Sequence, residues 1–263
     1  MDLGLRGRVG LVGGASRGLG LAISQRLAVE GADLVMVSRD TVALAEAKAA
    51  VAEVSDVRIL TVAADLSKRS DIDRVWDCVS AEFGAVDILV HNTGGPPPGS
   101  FMEHEDQAWD AAYRGLLLSV VRLCRVVLPS MQASGWGRIV VNTSFTVKEP
   151  APRLILSNVF RTGVVALAKT LSREVGADGV TVNCVCPGAF DTERLRSIFE
   201  MQAASTGKTA ADVQKTWEDQ IPIGRILQPK ELAAVVAFLV SELASGITGM
   251  SFPVEGGMLH GLF

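Results

Sequence analysis

The chain has 263 residues, 48% of them hydrophobic and 21% charged, which suits one large α/β domain with a substantial core. A formal charge of −4 supplies no basic field for phosphate backbones and argues against nucleic acid as a partner. No apolar run approaches the roughly 20 residues that span a bilayer, and Asp2, Arg6 and Arg8 replace the pattern of a secretory leader, so a cytoplasmic protein with no membrane partner is expected.

Apolar runs and helical patterns then alternate to the end of the chain. Residues 9–12 read as a first strand, followed by a helix with Leu19, Ile23 and Leu27 on one face and Gly31 as its stop. Residues 34–37 make the second strand, and the next helix carries Leu44, Ala47, Val51 and Val54 on one stripe. The third strand, 58–62, leads to a helix packing Ile72, Val75, Trp76 and Val79. Residues 86–90 and 139–141 are strands four and five, separated by a stiff loop of glycines and prolines at 94–100 and a long helix over about 106–132. A helix over about 155–176 precedes the sixth strand at 180–185. Helical pieces at 192–201 and 210–218, a last helix from Pro229 and a closing strand at 251–254 complete the chain.

Strands that alternate with helices imply parallel pairing, because parallel neighbours need a crossover. Continuous Val/Ile/Leu strands fit a sheet covered on both faces. The predicted fold is therefore α/β: a single domain over 1–263, Rossmann-type, with a doubly wound parallel sheet of about seven strands and helices on both faces.

The first strand runs into Gly13-Gly14-Ala15-Ser16-Arg17-Gly18-Leu19-Gly20 and straight on into a helix. Glycines at 14, 18 and 20 permit a tight turn, close approach to a pyrophosphate and close helix–sheet packing. The helix start offers unpaired N–H groups and a positive dipole end to phosphates. Strand, glycine turn and helix in this order point to a dinucleotide site.

The spacing resembles the short-chain dehydrogenase/reductase family, and the resemblance covers essentially the whole chain. The family's threonine at the head of the turn is Gly13 here, and its Asn-Asn-Ala-Gly appears as His91-Asn92-Thr93-Gly94. Asp65, followed by Leu66, matches the acid that contacts the adenine amine; Pro187-Gly188 and Thr192 match the segment that cradles the nicotinamide carboxamide. Ile221-Pro222-Ile223-Gly224-Arg225, Pro229 and Val254-Glu255-Gly256-Gly257 repeat the closing signature. The resemblance implies a nicotinamide cofactor held by Gly14, Ser16, Arg17, Gly18, Leu19, Gly20, Asp65, Leu66, Asn92, Thr93, Gly94, Pro187, Gly188 and Thr192. Where NAD users place an acid after the second strand, the chain has Ser38 and then Arg39. NADP carries an added phosphate that suits a planar, multiply donating cation, and Arg17 with Arg39 are expected to clamp it. NADP(H) is preferred to NAD(H), with Asp40 the one residue that speaks for NAD(H).

Catalysis in that family resembles a relay of serine, tyrosine, lysine and asparagine. Ser144 matches the serine. The tyrosine and lysine positions hold Ser157 and Arg161, and the asparagine position holds Leu116. Residues 157 and 161 are i and i+4 and share a helix face. A guanidinium cannot serve as a base, but Arg161 can donate to ribose hydroxyls and stabilise an oxyanion. Three outcomes stay open: a carbonyl reductase or dehydrogenase acting on a small, largely apolar substrate, a reductase of activated C=C bonds, and a nucleotide-binding regulatory protein. A lid over 190–221 is expected to line an apolar pocket with Phe190, Leu195, Ile198, Phe199, Met201 and Trp217. Arg153 and Arg194 are the candidates for holding a charged substrate group.

Cys184 and Cys186 share one strand face without a second pair or a nearby histidine, and His91, His104 and His260 have no ligand spacing, so core packing rather than metal is expected. His91 either touches cofactor or only packs, and His104 reads as a solvated helix start. Leu116, Leu117, Leu118, Val120 and Val121, with Val164, Val165, Leu167 and Ala168, exceed one apolar stripe on their helices. Family members pair such helices across a dimer axis, so a homo-oligomer, dimer or tetramer, is implied.

Overall fold

The structure, a computed structural model, describes residues 2–262. Its strands are β1 (Val9–Gly13), β2 (Asp33–Ser38), β3 (Ile59–Ala63), β4 (Ile88–His91), β5 (Gly137–Asn142), β6 (Val180–Pro187) and β7 (Ser251–Val254). They form one sheet in the order β3-β2-β1-β4-β5-β6-β7, with every pairing parallel. The helices are α1 (Gly18–Val29), α2 (Thr41–Ala52), α3 (Arg69–Glu82), α4 (Asp106–Ala112), α5 (Ser119–Ser134), α6 (Ile155–Val175), α7 (Glu193–Thr206), α8 (Ala210–Glu218) and α9 (Pro229–Leu239).

Side chains alternate across the sheet and divide the core in two. Val12, Leu34, Met36, Ile88 and Val90 face Ile23 and Leu27 of α1, Leu44 of α2 and Val236 of α9. Leu11, Val35, Leu89, Ile139 and Val141 face Ile72 of α3, Leu123 of α5 and Val164 of α6. Both faces are covered, as continuous apolar strands require. Strand order reverses between β1 and β4, and a crevice opens there beyond the carboxyl ends of the strands.

The long helix differs from a regular one. Between α4 and α5 the chain makes a π turn at Tyr113–Leu118, and such insertions cluster at functional sites. The Gly115 carbonyl there accepts the Ser119 hydroxyl at 2.7 Å and the Thr93 hydroxyl at 3.4 Å, which ties the turn to the end of β4. Taken together, Asp106–Ser134 is long and apolar enough on average to cross a bilayer, a feature that counting unbroken apolar runs overlooked. Its buried Leu116, Val120, Leu123, Val127 and Met131 are spent on the sheet and on α6. Tyr113, at 39% exposed, lies on the outer surface with Phe101, Met102 and Val159.

Candidate active site

Two ends of the crevice are knitted together by side-chain amides. Asn92, just after β4, donates from Nδ2 to Gly13 O at 3.1 Å, and its Oδ1 accepts Asn142 Nδ2 at 2.7 Å. The glycine turn tolerates no bulk. A Cβ on Gly13 would lie 2.8 Å from Asn92 O and 3.0 Å from Leu66 Cδ1. Gly14 and Gly18 hold left-handed φ angles of 58° and 52°, which side chains disfavour.

A cleft of about 570 Å³ runs from this turn past β4, β5 and β6. Gly14, Arg17, Gly18, Leu19, Arg39, Asn92, Thr93, Gly94, Pro187, Gly188 and Thr192 border it, and so do Ser144, Ser157 and Arg161. Ser16, Gly20, Ser38, Asp65 and Leu66 stand behind or beside this wall. Ser16 and Ser38 share a hydroxyl contact of 2.8 Å at the end of β2. Asp65 Oδ1 accepts the Ser67 backbone N–H at 3.0 Å and its hydroxyl at 2.8 Å, which occupies half of that carboxylate.

Arg17 does not stand free beside Arg39. Its Nη1 donates to Glu193 Oε2 and its Nη2 to Asp40 Oδ2, each at 3.1 Å. Asp40 also caps α2 by accepting the N–H groups of Val42 and Ala43 through Oδ1. Both of its oxygens are therefore committed. Arg39 is exposed and has no ion pair among the described residues.

Ser144, two residues beyond β5, caps a short turn, accepting Thr146 N–H on its hydroxyl oxygen at 3.2 Å. Its proton remains available to donate. Ser157 and Arg161 lie one turn apart on α6, 7% and 8% exposed. Arg161 Nη1 donates to Asn142 O at 2.9 Å and Thr143 O at 2.8 Å. Among the described residues no acceptor takes its other N–H groups. Burial, and then the nearby charge of Arg194, push its pKa down to about 10, so it stays protonated at neutral pH. A buried cation held only by carbonyls is costly and attracts negative charge. Leu116 is buried, at 4% exposed, inside the π turn.

His91 lies behind the cleft wall, 2% exposed, with Nε2 2.8 Å from Ser119 Oγ. Because Ser119 gives its own proton to Gly115 O, His91 Nε2–H donates and Nδ1 is a bare, unpartnered acceptor. Burial first, then the Arg161 charge, lower its pKa to about 3. The unfolded chain takes up a proton near pH 6.5 while the folded ring does not, so this stability is complete above that pH and lost as pH falls. From pH 7.5 to 5.5 His91 should cost about 1.4 kcal/mol. Urea unfolding of His91→Asn is expected to lack that part of the slope, and an unchanged slope would refute the buried neutral ring.

Other expectations need correction. His104 is only partly solvated: the residue is half-buried, its Nε2 is buried without a partner, and a Cβ on Gly99 would lie 2.6 Å from it. Phe199 turns into the core at 4% exposed and stacks edge-on against Trp217 at 5.7 Å, leaving Phe190, Leu195, Ile198 and Trp217 on the cleft. Met201, with Ile198 and Trp217, borders a second cavity of about 1170 Å³. Cys184 and Cys186 are buried, and burial pushes the Cys184 thiol up to about 12. The closing signature acts as a brace: a Cβ on Gly188 would lie 2.6 Å from Glu255 Cβ, and one on Gly256 2.6 Å from Ile221 Cγ2. None of this bracing is visible from spacing alone.

A doubly wound parallel sheet with a glycine-lined cleft at its switch point defines a dinucleotide-binding α/β protein. Comparison with known proteins narrows the class. The profile of the family described as Enoyl-(Acyl carrier protein) reductase matches residues 14–259. The 3-oxoacyl-[acyl-carrier-protein] reductase FabG of Escherichia coli is 32% identical, over 97% of this chain and 99% of that one. The crystal structure of L-sorbose reductase from Gluconobacter frateurii, complexed with NADPH and L-sorbose, covers 100% of both chains at 35% identity and a TM-score of 0.96. YwfH, an NADPH-dependent reductase involved in bacilysin biosynthesis, superposes over 97% of this chain and 100% of its own at 25% identity and a TM-score of 0.93. The chain belongs to the short-chain dehydrogenase/reductase family of oxidoreductases.

Proposed function

We propose that the protein is an NADP(H)-dependent oxidoreductase that uses Ser144, Ser157 and Arg161 on a small, largely apolar carbonyl or alcohol substrate. The observation that carries this reading is the single cleft that all three residues share with the glycine turn. At Gly13, Gly14 and Gly20 a Cβ would collide with Asn92, Leu66 or the Gly14 carbonyl, and the tight turn that their absence of side chain permits suits a pyrophosphate. Ser16, Ser38 and Arg39 would hold the adenosine ribose and its phosphate, with Asp65 and Leu66 beside the adenine. Asn92, Thr93 and Gly94 would form the wall, Pro187, Gly188 and Thr192 the nicotinamide end, and Arg161 would reach the ribose hydroxyls. The cofactor, when bound, supplies or accepts the hydride. NADPH in the L-sorbose reductase complex supports the choice of nucleotide.

Ser144 and Ser157 donate hydrogen bonds to the substrate oxygen, and Arg161 places a fixed positive charge beside it. Since Arg161 cannot exchange its proton readily at neutral pH, water entering the cleft supplies the proton. Conjugate reduction of an activated C=C bond is a second reading. It is favoured by the absence of any phenol or ammonium among the cleft-lining residues, because an enolate demands less of a proton donor than an alkoxide. Following NADPH consumption with simple ketones and with enones separates the two. Tight NADPH binding without turnover on either panel would overturn the enzyme reading and leave a nucleotide-binding regulatory protein.

Arg17 shares exposed ion pairs with Asp40 and Glu193, whereas Arg39 has no ion pair among the described residues, so Arg39 is the arginine more readily available to the phosphate. Losing one charged hydrogen bond costs about 1.5–3 kcal/mol, so Arg39→Ala should weaken NADPH at least tenfold and leave NADH unchanged in a fluorescence titration. Equal losses for both would remove that role. The exposed Phe101, Met102, Tyr113 and Val159 further support a homo-oligomer, dimer or tetramer, built on α4, α5 and α6. Light scattering at micromolar concentration should find one, and a monomer would contradict it.

A further inference from the structure

We infer that the substrate carries a carboxylate, held by Arg194 at the junction of the two cavities and facing the Arg161 charge. This deepens the reading above and rests on it for the identity of the reacting side of the cleft. Of the arginines that border the two cavities, Arg17 and Arg153 are paired with acids, whereas Arg39, Arg161 and Arg194 have no such pair among the described residues. Arg17 has Asp40 and Glu193, Arg153 has Glu103 at 3.2 Å, Arg196 has Asp191 at 2.8 Å and Arg225 has Glu231 at 2.8 Å. Of the two candidates for a charged substrate group, Arg153 is thereby spent.

Arg194, in the first turn of α7, has no acidic partner among the described residues. It donates from Nη1 to Gly95 O at 3.0 Å and from Nη2 to Pro96 O at 3.2 Å. Those two carbonyls fix the plane of the guanidinium and use two of its five N–H groups, leaving three to bind a ligand. Among the described residues it is the one charged side chain that borders both cavities, beside Phe145, Leu154, Ile198 and Trp217.

Arg161 and Arg194 line the same cleft, and after burial the Arg194 charge is the next cause that lowers the Arg161 pKa. Two like charges with no anion between them repel, and an anion placed there relieves both. A planar fork suits a carboxylate better than a point charge would. The apolar neighbours suit the body of an acid whose reducible bond lies next to its carboxylate, a 2-oxo acid or an unsaturated acid. The second cavity, walled by Pro96–Pro98 and Pro150–Pro152, gives room for the rest of the molecule.

Benzoylformate and its methyl ester differ in this charge and little else. Equilibrium binding of each, followed by tryptophan fluorescence with and without NADP⁺, tests the assignment. The acid should bind at least tenfold more tightly than the ester. Arg194→Gln should abolish that preference while ester and NADPH affinities stay as they were. Equal binding of acid and ester, binding of neither, or a loss of NADPH affinity in Arg194→Gln would overturn the inference, the last by assigning the arginine to the cofactor. A preference for the acid with no turnover on any ketone or enone would instead overturn the enzyme reading. Turnover without the preference would sink only the carboxylate.

Discussion

Gly20→Ala should lower NADPH affinity at least a hundredfold while far-UV circular dichroism keeps its helical signal. The added Cβ would overlap the Gly14 carbonyl and lie 2.8 Å from Asn92 Nδ2. Neither neighbour can retreat cheaply. The first belongs to the turn itself, and the second joins the turn to β4 and, through Asn142, to β5. Opening the turn swings several phosphate-facing N–H groups away together. Each charged hydrogen bond is worth about 1.5–3 kcal/mol, so losing two exceeds a hundredfold. Gly246→Ala is the control, because nothing lies within 4 Å of a Cβ there. Unaltered NADPH affinity in Gly20→Ala would mean that the nucleotide sits elsewhere.

Arg161→Ala carries the second large effect. The side chain is buried, positively charged and anchored to Asn142 O and Thr143 O. In the role proposed for it, it is a charged donor to the ribose and the source of the field beside the substrate oxygen, and removing it deletes both. Roughly 1.5–3 kcal/mol should be lost from cofactor binding, with a further fall in kcat. Arg161→Lys keeps the charge but not the fork, and should recover part of the rate. Unfolding stability moves little by comparison, since unpairing two carbonyls is offset by relieving a buried charge. Should both NADPH affinity and kcat survive Arg161→Ala, the role given to this residue is wrong.

Much of the architecture was legible because a doubly covered sheet writes its strands as continuous apolar runs. β6 and β1 were plain for that reason. Boundaries were less so: Val86 is buried yet lies outside β4, which begins at Ile88 although the Asp87 backbone N–H already donates to Val9 O at 2.9 Å. The π turn at Tyr113–Leu118 hid within an apolar helix, since one extra residue barely disturbs a broad stripe. At the site, spacing brought Ser144, Ser157 and Arg161 to one cleft. Spacing was silent on what each makes of its neighbours. Arg17 finds Glu193 far along the chain, and His91 keeps its proton on Nε2 only because Ser119 points at Gly115. Such contacts depend on which helix leans on which strand end, and no local pattern encodes them.

Calorimetric titration of the folded protein with NADPH and with NADH probes the account at its root. Saturable heat at one site per chain, with NADPH bound at least tenfold more tightly, is the result expected from a glycine cradle flanked by Ser38 and a free Arg39. Absence of heat with either nucleotide would contradict the cofactor site, and with it every role given to Ser144, Ser157 and Arg161.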